Sequence, residues 1–186
     1  MDSRGVVGGP ILTPVKRQAY ARDKYLIPGA FRLSEQVVAG LAGAIDEILA
    51  DNPDIPPDRM INPHLDGGRP YGVKGPPIID RIARDPQILQ LVGSVLGPDV
   101  ILWLTHLSCK LPKAAREVPW YQDGQYWPIR PWATCTVWIA IDKVDRENGA
   151  MRVIPGSQMR RDWRHHEDSS ENLTLKKVIS DDQLSE

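Results

Sequence analysis

The sequence is short of several things, and each shortage removes a class of protein. Net charge is nearly absent: 23 Lys and Arg stand against 24 Asp and Glu. A domain that binds nucleic acid over its surface is basic, and a disordered solvating chain carries a large charge excess. Neither description fits, so no nucleic-acid partner is expected. Cysteine is limited to Cys109 and Cys135, both in apolar, strand-like segments. A pair alone does not make a disulfide-stapled secreted scaffold, and two buried, reduced thiols are expected. No apolar run approaches the ~18 residues of a membrane span. Met1-Asp2-Ser3-Arg4-Gly5 opens without the apolar core of a signal peptide. The expectation is a soluble, cytoplasmic protein with no membrane partner. Phe occurs once, and there is no internal repeat or low-complexity tract.

Proline and tryptophan are the abundant residues, at 17 and six. That proline content is roughly twice the average usage of about 5%, and it favours long shaped loops over a helical bundle. A length of 186 residues supports one core and one domain. Within it, residues 1–15 are Gly/Pro-rich and read as loose. Residues 20–99 read as a cover of helices and loops, and residues 100–186 as the β part.

The cover has clear punctuation. Ile27-Pro28-Gly29-Ala30 is a turn signal. Ser34 is placed to cap a helix over 35–50, where Val37, Val38, Leu41, Ile45, Ile48 and Leu49 fall at helical spacing. Residues 51–77 are so rich in Pro and Gly that they read as one long loop, and a loop of that length inside a domain is functional or disordered. A short helix follows at 78–84. Asp85-Pro86 then caps and opens another helix, with Ile88, Leu91, Val92, Val95 and Leu96 on one stripe, closed by Gly97-Pro98.

After Val100 the period changes to two. Residues 100–110 read as a strand with Ile101, Trp103, Thr105, Leu107 and Cys109 on one face. The other face, running to His106, Ser108 and Lys110, turns from apolar to polar as a pocket wall would. Residues 133–141 read as a second strand, with Thr134, Thr136 and Trp138 opposite Cys135, Val137 and Ile139. Asn148-Gly149 is a hairpin cue before a third strand over 150–154. Helices first and strands later give an α+β chain, and several short antiparallel strands with long loops suit a barrel or jelly roll.

The densest run of functional residue types is Trp120-Tyr121-Gln122-Asp123-Gly124-Gln125-Tyr126-Trp127-Pro128. It is followed by Trp138-Ile139-Ala140-Ile141-Asp142 and by Glu147-Asn148-Gly149-Ala150-Met151-Arg152-Val153-Ile154-Pro155-Gly156-Ser157. Together with Ile27-Pro28-Gly29 and Leu96-Gly97-Pro98-Asp99-Val100, this ordered set closely resembles the phytanoyl-CoA dioxygenase family from about Tyr25 onward. The resemblance implies a double-stranded β-helix (jelly-roll, cupin-like) core with the N-terminal helices packed outside it. It also implies an oxygenase that uses Fe(II) and 2-oxoglutarate to hydroxylate a small-molecule substrate, releasing succinate and CO2.

That chemistry requires two His and one carboxylate on one face of the iron. A His-x-Asp pair suits it because residues i and i+2 of an extended chain point to one side. Asp123 matches the carboxylate, whereas the position of the first His is Tyr121. The second His, and the arginine that holds the far end of 2-oxoglutarate, are expected on closing strands that this sequence does not reach. By the same resemblance His106 and Trp138 line the 2-oxoglutarate site, and Gln122, Tyr126 and Trp127, which flank the metal position, shape the substrate side; Lys110, at the end of the polar strand face, is placed to attract a carboxylate. His64, in the proline loop, and His165-His166, in a charged run, are the other histidines. As polar residues of a loop and a solvated face, their functional claim rests on little beyond residue type. The competing expectation is a catalytically inactive or truncated relative that binds a small molecule or a protein partner. A metal-free jelly-roll lectin would explain the tryptophans but not the ordered resemblance.

Overall fold

The computed structural model describes residues 6–7, 12–29, 31–65, 72–113, 116–159 and 163–184. The middle of the long proline loop, at 66–71, and Arg160 and Arg161 lie outside the described residues.

The helices form where capping chemistry and apolar spacing agree. Helix α1 (Pro14–Asp23) opens with the Thr13 side chain accepting the Lys16 N–H and a proline in its first turn, and ends at Lys24 in the left-handed region, φ 57°. It runs through the end of the stretch read as loose. Its Thr-Pro start was available in the sequence, but it has no apolar stripe and buries no residue. Before it, β1 (Val6–Val7) pairs antiparallel with β2 (Arg32–Leu33). Helix α2 (Glu35–Asp51) is capped by Ser34, whose hydroxyl accepts the Val37 N–H, and it buries Leu41, Ala44 and Ile48. Helices α3 (Pro77–Ala83) and α4 (Pro86–Leu96) follow as expected. The Asp85 carboxylate caps α4 by accepting the N–H groups of Gln87 and Ile88.

The core gathers Leu41, Ala44 and Ile48 of α2, Ile79 and Ile82 of α3, Ile88 of α4, and Met60 and Val73 from the loop. The loop is therefore a structural part of the helical half. Its return depends on Gly75, whose N–H bonds Pro63 O at 2.9 Å. A Cβ there would sit 2.6 Å from that same carbonyl oxygen and 3.1 Å from Ile48 Cδ1.

The β half differs from the sequence expectation. Of residues 100–110 only β4 (His106–Leu107) is paired, antiparallel to β3 (Met60–Ile61). Residues 133–141 alternate only in part: Cys135, Ile139 and Ile141 are half-buried, whereas Val137, expected on the same face, is 37% exposed. Ile139 and Ile141 pack against the helical core, while Thr134, Thr136, Trp138 and Ala140 are exposed on the other face. No ladder forms along them, and none forms along 150–154. The Asn148-Gly149 turn is present, with Gly149 at φ +88°, yet no paired strands flank it. Alternation specifies which face is buried, but a strand also needs a neighbour for its N–H and C=O groups. Among the described residues these segments have none. Pairing instead occurs later, where β5 (His165–Glu167) and β6 (Lys177–Ile179) form a hairpin. The chain is thus mixed helix and sheet, with three two-stranded sheets and no closed barrel among the described residues.

Candidate functional site

The aromatic segment from Trp120 to Trp127 is held as one unit against the β5–β6 hairpin. The free edge of β6 supplies the anchors. Ile179 N–H donates to Trp120 O at 2.8 Å. The Tyr126 hydroxyl donates to Lys177 O at 2.7 Å and accepts from Lys177 N–H at 2.9 Å. Upstream, Glu117 bridges in parallel to Leu173. Between these anchors the Gln122 N–H donates to His165 Nε2 at 3.2 Å. The other ring nitrogen, His165 Nδ1, lies 3.2 Å from Trp163 O. A carbonyl only accepts, so Nδ1 carries the proton and Nε2 is the acceptor. Burial pushes the His165 pKa down, which favours this neutral form.

Within the segment the chain turns sharply. Asp123 opens a single 3-10 turn, Asp123–Gln125, and its carbonyl accepts the N–H groups of Tyr126 and Trp127. Gly124 lies against Trp132, whose ring atoms would sit 3.8 Å from an added Cβ. The Arg130 guanidinium covers Trp132 at 4.5 Å from the ring centroid. Tyr121 meets Tyr126 edge-to-face at 5.8 Å between centroids.

These contacts decide the protonation states. Burial raises the Asp123 carboxyl above the usual carboxylate range. Burial, then the nearby Asp123 carboxylate, then Tyr126 push the Tyr121 phenol up to about 12. Tyr121 is therefore a protonated phenol at neutral pH, a weak ligand for a divalent metal. Among the described residues, no three His, Cys, Asp or Glu side chains converge as a metal site would require.

The other residues singled out in the sequence make their contacts elsewhere. His106, exposed on β4, has Nε2 3.1 Å from Asp58 O. Asp58 in turn holds Arg116 through a two-pronged ion pair. Lys110 lies over Gly149, its Nζ 2.7 Å from where a Cβ would be. Trp138 is 48% exposed, on the outer face of 133–141. Trp127 is half-buried beside Asp123. His64 Nδ1 lies 2.7 Å from Thr105 Oγ1, and His166 Nδ1 lies 3.1 Å from Ser180 Oγ. Both cysteines are unpaired and half-buried: burial raises the Cys109 thiol, and burial, then the neighbouring Cys135, raises the Tyr20 phenol. An open cleft of about 380 Å³ lies behind the segment between Trp120, His166 and Asp181, and does not include Tyr121 or Asp123. The sequence offered no sign of the anchors His165 and Lys177, which act across more than forty intervening residues.

The family model described as Phytanoyl-CoA dioxygenase (PhyH) matches residues 22–184. The chain belongs to the phytanoyl-CoA dioxygenase family. Curated members similar to it include the peroxisomal phytanoyl-CoA dioxygenase of Bos taurus, 34% identical over 39% of this chain and 23% of that protein. A probable alpha-ketoglutarate-dependent hypophosphite dioxygenase of Stutzerimonas stutzeri is 31% identical over 58% of this chain and 34% of that protein. The L-proline trans-4-hydroxylase of Streptomyces griseoviridis is 29% identical over 46% of this chain and 39% of that protein. These relatives are dioxygenases or hydroxylases by name, and this family member aligns with between about a quarter and two fifths of their length. No solved structure matches. No helix among the described residues is long and apolar enough to cross a membrane.

Proposed function

We propose that this chain is the part of an Fe(II)- and 2-oxoglutarate-dependent oxygenase that carries the carboxylate ligand and the substrate-side aromatics. The reaction is hydroxylation of a small organic substrate with O2, releasing succinate and CO2. The observation that supports this is the docked Trp120–Trp127 unit. It fixes Asp123 on a single tight turn, half-buried, with Tyr121, Tyr126 and Trp127 around it. A fixed carboxylate flanked by aromatics suits a ligand position beside an organic substrate.

Among the described residues no set of side chains completes an iron centre. Such a centre takes three protein ligands on one face. Asp123 offers one, and Tyr121 is held protonated. The remaining histidine and the arginine for 2-oxoglutarate are assigned to strands outside these residues. The described side chains can bind and orient substrate. Tyr126 contributes only its ring, because its hydroxyl is committed to the Lys177 backbone. Gln122, Trp127 and the Tyr121 edge supply the rest of that wall. His106, Lys110 and Trp138 are the candidates for the co-substrate side.

The test is succinate release from 2-oxoglutarate with Fe(II) and ascorbate in three proteins. These are the chain, Tyr121→His, and Tyr121→His with the closing strands of a curated relative appended. Turnover is expected in the third alone. No succinate above a no-protein blank from a folded third protein would overturn the oxygenase reading.

A further inference from the structure

The aromatic segment is tied to the hairpin at both ends, through Trp120 to Ile179 and through Tyr126 to Lys177. Between these ties the chain changes direction. Gln122 is extended, at φ −123° and ψ 133°, and Asp123 opens the 3-10 turn directly after it. Among the described residues, the bond that holds this corner to the hairpin runs from Gln122 N–H to His165 Nε2, at 3.2 Å. The ring that accepts it is itself framed. Trp163 O takes the Nδ1 proton at 3.2 Å, and buried Trp163 donates its Nε1–H to Ser157 O at 3.0 Å. The buried Gln183 amide clamps both backbone groups of Arg164, at 2.9 and 2.8 Å. His165 sits opposite Ile179 in the hairpin register. The frame fixes the carbonyl, the carbonyl fixes the tautomer and ring plane, and the Nε2 lone pair is aimed in advance.

We propose that His165 is a positioning residue for Asp123. Its Nε2 lone pair sets the direction in which the chain leaves Gln122, and so where the Asp123 carboxylate is held. It acts through the backbone. Metal ligands are commonly oriented by a partner behind them; here the orienting bond falls on the residue before the ligand. The functional meaning rests on the reading of Asp123 as an iron ligand, whereas the geometry needs no metal. The geometry also makes the role depend on reach. A glutamine Oε1 extends to about the place of Nε2 and accepts a hydrogen bond, while an asparagine stops at about the place of Nδ1. A residue serving only to stabilise the hairpin would tolerate the two amides alike.

The test is NMR of the isotope-labelled 186-residue chain without metal. In the parent, His165 is expected to be protonated at Nδ1 and bare at Nε2 at neutral pH; the opposite tautomer overturns the proposal. His165→Gln is expected to keep Gln122 amide exchange within about threefold of the parent. It should also leave the amide orientations of Asp123 to Gln125, read from residual dipolar couplings, unchanged. His165→Asn and His165→Leu are expected to speed that exchange about tenfold or more and to turn those orientations. The amides of His166 and Val178, inside the hairpin, should stay as slow as in the parent in all three variants. Gln and Asn variants that behave alike overturn the proposal. So does exchange that quickens at His166 and Val178 as much as at Gln122, which would make His165 a hairpin residue only. No readout uses iron or turnover. Failure here therefore leaves the oxygenase reading standing, and an inactive strand-completed protein leaves the positioning role standing.

Discussion

The hydroxyl of Tyr126 occupies both backbone groups of Lys177, donating to its carbonyl at 2.7 Å and accepting from its N–H at 2.9 Å. One phenol thus replaces a missing strand neighbour at the edge of β6, and it fixes the aromatic segment to the hairpin. Tyr126→Phe keeps the edge-to-face contact with Tyr121 but removes both bonds. It is expected to cost about 1–2 kcal/mol, read as a lower urea midpoint with an unchanged slope. Faster amide exchange should be confined to residues near Lys177 and 121–126. An unchanged midpoint would mean that water replaces the phenol without loss.

Asp123 gives a pH dependence with a defined sign. Burial raises its carboxyl in the fold, so the folded chain holds that proton more tightly than the unfolded chain does. This group's contribution is therefore most favourable below its unfolded value. It is lost as pH rises through the folded value. Asp123→Asn, which cannot ionise, is expected to melt higher than the parent at pH 7. The two should converge as pH falls through the usual carboxylate range. A parent that melts higher than Asp123→Asn at pH 7 would show a favourable partner for the carboxylate.

Gly75 is required by space. An added Cβ would meet Pro63 O at 2.6 Å, and that oxygen already accepts the Gly75 N–H. Backbone cannot yield as a side-chain tip can. Gly75→Ala is expected to destabilise by about 2–3 kcal/mol, through loss of the packing of Met60 and Val73 on α2. Gly43→Ala, with open space around its Cβ, serves as the helical control. It should be neutral or stabilising, by up to about 1 kcal/mol.

Helices α2, α3 and α4 were legible to within a residue or two, because caps such as Ser34 and Asp85 and the apolar spacing of Leu41, Ile45 and Ile48 are local signals. Helix α1 was missed because its Thr13-Pro14 start carries no apolar stripe behind it. The alternation of 133–141 was legible in part: Ile139 turns inward and Trp138 outward, but Val137, expected beside Ile139, is exposed. The pairing of this segment was not, since that depends on a neighbour distant in sequence. The aromatic segment and Asp123 stood out by residue type and order. Their anchors did not, because nothing near Trp120–Trp127 announces that His165 and Lys177 will hold it. His165 in particular sits in a run that reads as a solvated charged face, yet it accepts a backbone N–H beside the candidate ligands.

The central claim is a count of ligands in the proposed centre: Asp123 is the one side chain of Trp120–Trp127 of a conventional iron-binding type, and the Tyr121 phenol, pushed up to about 12, does not add a second. The most direct measurement is an anaerobic calorimetric titration of the chain, of Asp123→Ala and of Tyr121→His with Fe(II). The chain and Asp123→Ala are predicted to be indistinguishable, with no saturable site at micromolar metal. Tyr121→His is predicted to gain weak binding at most. A saturable site of one Fe(II) per chain in the unmodified protein, abolished by Asp123→Ala, would contradict the account and show that other side chains complete the centre.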